Sequence, residues 1–270
     1  MTHRLINKRS LLLAFLLCLP SISSAYEGDP ISNAIRDLGD MQEAPVRMMD
    51  DPAGAYLLGS ILVVGAYTYY DDTHILHIVQ RNKTPFLEQT SRNTERIGNG
   101  LYEAVFLAGM AGAGYAFGDN KLKDTAFLCA ESFLAANVVG TVVKTAVGRA
   151  RPYSGAGKHS FRPFSFNNDH ASFPSGHTTS AFSIASVIAY RYDSVWVGLL
   201  VYGAAASSAL QRAYSNNHWP SDVFFGAALG TVTGRLVARR TEERSAKPKS
   251  VTVLPVFSPE LSGALASVRF

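Results

Sequence analysis

"QRAYSNNHWPSD", residues 211–222, is a polar break between two long apolar stretches. It holds Arg212, His218 and Asp222 within eleven positions. Pro220 fits the first position of a helix, where its missing N–H would have no partner anyway. One helix therefore ends at this break and the next begins in it. Working outward, apolar segments rich in Ala and Gly lie at about 54–70, 101–117, 125–147, 178–190, 195–212 and 221–238. None alternates with period 2, so all six are expected to be helices. The fold class is all-α, a six-helix core bundle.

Composition narrows the class. The chain has 270 residues, 17% of them charged, 47% hydrophobic, with a formal net charge of +4. A basic balance favours an anionic ligand or surface. There is no GxGxxG, no P-loop and no interleaved aromatic–basic patch, which argues against nucleic acid. Residues 1–25 have the form of an export signal: Arg4, Lys8 and Arg9, then "LLLAFLLCLP", then a small-residue cleavage site ending at Ala25. After cleavage only Cys129 remains, so no intramolecular disulfide is expected. Residues 26–52 read as an acidic amphipathic segment and 53–240 as the bundle. Residues 241–270 read as a basic linker followed by a short β-hairpin or extended tail around "SPELSG".

Three polar breaks carry chemistry. In the first, Lys144 and Arg151 lie seven residues apart near a helix end that Pro152 stops. In the second, "SFPSGHTTSA" (172–181), Ser175 and Gly176 open a helix whose free amides suit phosphate oxygens, and His177 stands in its first turn. In the third, Asp222 can reach back to His218 and fix its tautomer, while Arg212 adds a cation. In an up-and-down bundle these breaks share one pole. Three cations, a ring of amides, two histidines and an acid describe a phosphoryl-transfer pocket. No cluster of acids and histidines suggests a metal, so the cations neutralise the charge.

These pieces (Lys144 with Arg151-Pro152, Pro174-Ser175-Gly176-His177, and Arg212 with His218 and Asp222) resemble the three-part signature of the type 2 phosphatidic acid phosphatase superfamily. That superfamily also takes in bacterial class A acid phosphatases and vanadium haloperoxidases. The resemblance covers roughly residues 100–238. It implies an all-α bundle and a phosphatase with no cofactor that works through a phosphohistidine. By position, His218 would be the nucleophile, Asp222 its orienting acid, and His177 the proton donor to the leaving group. Lys144, Arg151, Ser175, Gly176 and Arg212 would bind phosphate. The chain departs at Gln211, where the family usually has Ser.

The implied partner is a phosphorylated lipid or a small phosphomonoester, with membrane association as an open alternative. Counting spans from a periplasmic residue 26 puts the pocket in the cytoplasm, whereas the basic run 235–249 favours a cytoplasmic tail and a periplasmic pocket. Glu103, Glu131 and the shortness of 178–190 argue against six spans. The sequence therefore leans towards an exported bundle, soluble or membrane-associated, in the periplasm or cell envelope. Two rival functions remain: a vanadate-dependent haloperoxidase, and a non-catalytic envelope protein on the same scaffold.

Overall fold

The computed structural model describes residues 52–246, 250–258 and 261–269. The expected signal and nearly all of the acidic segment 26–52 lie outside the described residues. The chain divides into two compact units, Pro30–Glu243 and a smaller one that includes Arg244–Phe270. Seven α-helices are described: α1 (Pro52–Arg81), α2 (Pro85–Thr94), α3 (Gly100–Phe117), α4 (Asn120–Val147), α5 (Gly176–Tyr192), α6 (Val195–Tyr214) and α7 (Pro220–Ala246). Two strands, β1 (Ser250–Ser258) and β2 (Leu261–Arg269), pair antiparallel as a hairpin.

The helix ends follow local chemistry. Thr84 caps α2 by accepting from the Leu87 amide at 3.2 Å, with Pro85 at the first position. Asn99 and Asp119 cap α3 and α4 through the amides of Leu101 and Leu122. α4 stops at Gly148, which takes the left-handed conformation (φ 58°) against the Arg162 carbonyl. A side chain there would meet both strain and a clash.

Two boundaries differ from the sequence reading. The first helix does not stop at residue 70. It runs to Arg81, because Asp72 points into the protein and needs no solvent. The first residues of the basic stretch that the sequence assigns to a linker from 241 are helical. They continue α7 to Ala246, where Arg239 and Glu243 pair one turn apart.

α5 lies at the centre, packed against α4 on one side and α6 on the other. Gly226, Gly230 and Gly234 of α7 face the carbonyls of Ser175, Thr179 and Ser183 on α5. Any Cβ at these glycines would fall inside van der Waals distance, so the small-residue stripe lets two parallel helices approach closely within one chain. α3 buries only a narrow stripe, Glu103, Leu107 and Gly114. α1, α3 and α6 turn large apolar side chains outward, among them Tyr56, Val63, Phe106, Trp196 and Leu200.

Candidate active site

The end of α4, the start of α5, the end of α6 and the start of α7 meet at one pole. The connection between α4 and α5 folds back to make this possible. The Arg151 amide donates to the Asp169 carbonyl at 2.8 Å, and the Ser172 amide to the Arg149 carbonyl at 3.0 Å. The Ser175 amide then donates to the Asp222 carbonyl at 3.0 Å, locking the entrance of α5 to the first turn of α7. Lys144 and Ser175 through His177 thus join Arg212, His218 and Asp222. Arg151 reaches the same pole from the loop.

His218 is buried in the loop between α6 and α7. Its Nδ1 lies 2.7 Å from the Ser172 carbonyl oxygen. A carbonyl only accepts, so Nδ1 carries the proton and the Nε2 lone pair is free. Burial, and after it the fields of Lys144, Arg151 and Arg212, hold the imidazole well below its usual range, which keeps it neutral at neutral pH. Asp222 stands one step behind. Its Oδ2 is 4.0 Å from Nδ1 and instead accepts from the Ser172 hydroxyl at 2.5 Å and the Trp219 amide at 3.0 Å. The sequence placed the carboxylate directly on the imidazole; the structure puts the Ser172 carbonyl there and makes Asp222 the acid that holds Ser172.

Asp222 is neutralised by a residue the sequence reading passed over. Arg149, 1% exposed, donates from Nη1 to Asp222 Oδ1 at 2.6 Å and from Nη2 to Asp72 Oδ2 at 2.7 Å. Asp72 also accepts from the Ser221 amide at 2.8 Å and the Ser221 hydroxyl at 2.6 Å. The guanidinium stacks near Tyr69 and Trp219. Because Arg149 serves both carboxylates, Asp222 does not cancel the charge of the other cations. Among the described residues, neither Lys144 nor Arg151 is ion-paired, and Arg212 has only the half-exposed Glu95 at 3.7 Å. This leaves a cationic recess beside His218.

The remaining expected residues have these partners. Lys144 Nζ donates to the carbonyls of Ala171 (2.9 Å) and Pro174 (2.7 Å), leaving one of three donors unused. Arg151 holds Asn168 Oδ1 at 3.2 Å, and its buried Nε has no partner. Ser175 is the N-cap of α5 but makes no side-chain cap; its hydroxyl accepts from Thr178. The first amides of α5 therefore lack the usual cap acceptor and remain suited to an anion. Gln211 is buried, and its Oε1 accepts from Arg212 Nη1 at 3.1 Å, so it braces that guanidinium. No group of three His, Cys, Asp or Glu side chains among the described residues is arranged to hold a metal ion.

Comparison with known proteins bears on this pole. The chain is 39% identical over 84 residues to a lipid A 1-phosphatase of Porphyromonas gingivalis, covering 30% of this chain and 19% of that protein. It is 32% identical over 106 residues to a lipid A 1-phosphatase of Rhizobium johnstonii, covering 37% and 41%. The chain thus spans well under half the length of these curated relatives. Its fold resembles the crystal structure of a transmembrane PAP2-type phosphatidylglycerolphosphate phosphatase from Bacillus subtilis, with TM-score 0.57, 21% identity, and coverage of 74% of this chain and 97% of that one. Residues 125–246 match the PAP2 superfamily, a stretch that contains all three polar breaks. Over that stretch the chain is similar to the PAP2 superfamily.

Proposed function

We propose that this protein hydrolyses the phosphate monoester of a membrane lipid through a phosphohistidine. The observation that carries the reading is His218: a buried neutral imidazole, its Nδ1 proton committed to a carbonyl, beside three cations that no buried carboxylate cancels. His218 Nε2 attacks phosphorus and displaces the lipid oxygen, which takes a proton from His177. The phosphoryl group now sits on Nε2, and the imidazole is cationic. His177, left neutral, then removes a proton from water as it attacks phosphorus, which releases phosphate and restores His218. Lys144, Arg151 and Arg212 with the Ser175–Gly176 amides hold the phosphoryl oxygens, where charge builds in the transition state.

Lipid is preferred to a small ester on two grounds. The relatives that align with this chain are lipid A 1-phosphatases, and the bundle exposes broad apolar faces. On α1 the exposed residues Tyr56, Val63, Tyr67 and Tyr70 fall on one stripe, and on α6 Trp196, Leu199 and Leu200 do the same. Such faces belong in a bilayer. α4 is long and apolar enough to cross one by itself. α1, α4 and α6 end at the catalytic pole and α7 leaves it, so residue 52 and the basic end of α7 share the opposite side. Arg235, Arg239 and Arg240 on that side favour a cytoplasmic position for it and an outward-facing pocket, in line with the proposed reading.

The test is a rapid-quench reaction of the detergent-solubilised protein with 32P-labelled lipid A and phosphatidic acid, followed by denaturation. An acid-labile, base-stable phosphoprotein that is absent in His218→Ala supports the reading. Turnover by His218→Ala at the wild-type rate refutes it.

A further inference from the structure

A cleft of about 350 Å³ opens between α3, α5 and α6, lined by Phe106, Ile184, Ile188, Val201 and Ala204 among others. It starts at the catalytic pole. Arg96 and Ile97 form its near edge, immediately before Gly98, which packs so closely on His177 that a Cβ would meet the His177 carbonyl. Along α5 the lining runs from Ala181 to Ile188, which begins four residues past His177 and extends to eleven. At 1.5 Å per residue this is a trough from about 6 to about 16 Å below the histidine. Its direction is away from the phosphate recess and into the bundle.

Beyond Arg96 at the near edge, an acid sits against this apolar space. Glu103, on the buried stripe of α3, lines the cleft and is 4% exposed; neither carboxyl oxygen has a partner in hydrogen-bond geometry, because the neighbouring Ser180 hydroxyl gives its proton to the Gly176 carbonyl at 2.9 Å. A buried polar group without a partner is costly, so a ligand that supplies the missing bond is favoured. Glu103 lies one turn past Asn99, the N-cap of α3. Seen from the phosphate recess, the cleft offers a carboxyl group on α3 and then an apolar trough.

We propose that this cleft holds an acyl chain of the lipid phosphate, with Glu103 accepting a hydrogen bond from an amide N–H or hydroxyl at the head of that chain. The inference rests on the lipid phosphatase reading and goes further by placing the chain and naming the linkage it selects. Glu103 is a specificity residue here, remote from phosphorus.

The experiment uses n-alkyl phosphates of increasing length, kept monomeric, with p-nitrophenyl phosphate as the chain-free substrate. In the wild type KM should fall about threefold to fourfold per added methylene until the trough is full. Ala204→Trp, at a half-buried wall position, should flatten that dependence and leave p-nitrophenyl phosphate within twofold. Ala204→Leu, a milder change, should stop the fall in KM at a shorter chain. Glu103→Leu should keep the chain-length slope but lose the preference for an N-acylaminoethyl phosphate over an alkyl phosphate of equal length. A flat wild-type slope, or a full slope in Ala204→Trp, overturns the proposal while the phosphatase reading stands. Absence of phosphate release from every substrate takes both away.

Discussion

Asp72→Asn is the sharpest probe of how the site is built, because it alters no residue near the phosphate recess. Asp72 and Arg149 are fully buried and 2.7 Å apart, and Arg149 also holds Asp222 at 2.6 Å. Removing one partner of a buried pair costs about 3–5 kcal/mol, and Arg149 keeps a second carboxylate, so a loss of about 3 kcal/mol is expected. At roughly 2–4 °C per kcal/mol for a domain of this size, Tm should fall by about 6–12 °C. The catalytic effect has a separate origin. Attack on phosphorus makes His218 cationic, and the variant removes a negative charge that favours this. At a distance on the order of 10 Å and an effective dielectric of 20, the lost attraction is about 1.7 kcal/mol, or roughly ten- to twentyfold in kcat. The same lost field weakens proton binding to His218, so the acid limb of kcat should move down by about one pH unit. Phosphate release across that limb, with melting curves under the same conditions, reads both effects. A wild-type rate and pH profile with a lowered Tm would refute the electrostatic argument and leave Asp72 as a brace between α1 and α7.

Ser172→Ala deletes the hydroxyl that Asp222 holds but keeps the carbonyl that orients His218; kcat should fall about tenfold with KM little changed, measured by steady-state phosphate release. The depressed His218 pKa predicts that the acid limb of kcat in the wild type lies below pH 6.5, since His218 attacks only when neutral and stays neutral until the pH falls through its folded value; a limb at or above 6.5 would contradict this. Gly230→Ala should destabilise by about 1–3 kcal/mol through overpacking of α5 against α7, read as a lowered Tm with KM unchanged in the surviving fraction. EDTA should leave phosphate release unchanged, and a loss restored by a divalent metal would show that the cations alone do not neutralise the substrate.

The convergence of the candidate site residues at one pole was legible because they lie in breaks between apolar segments, where charge stands out against Ala, Gly, Val and Leu. What escaped was charge inside the segments. Asp72 looked like the end of the first helix, since a carboxylate beside an apolar run normally marks solvent; only the fold shows Arg149 waiting for it. Arg149 itself was masked by Arg151 two positions later, which carried the spacing that the motif requires. Ser172, two residues before Pro174, gave no signal, because a carbonyl that any residue could supply orients His218 and its hydroxyl meets Asp222 only in the fold.

The same physics bears on the membrane question. Glu103 and Glu131 counted against spanning helices when every side chain was assumed to face the surroundings of its helix. In the folded bundle both are buried, 4% exposed, while the outward faces of α1, α3 and α6 carry Tyr, Val, Leu and Trp. Mean hydropathy, +0.06 for the chain, averages inward acids with outward aliphatics and so understates how apolar the surface is. A bundle that buries Glu103 and Glu131 while turning these aliphatic and aromatic side chains outward presents a surface that suits a bilayer, which supports the proposed lipid phosphatase reading.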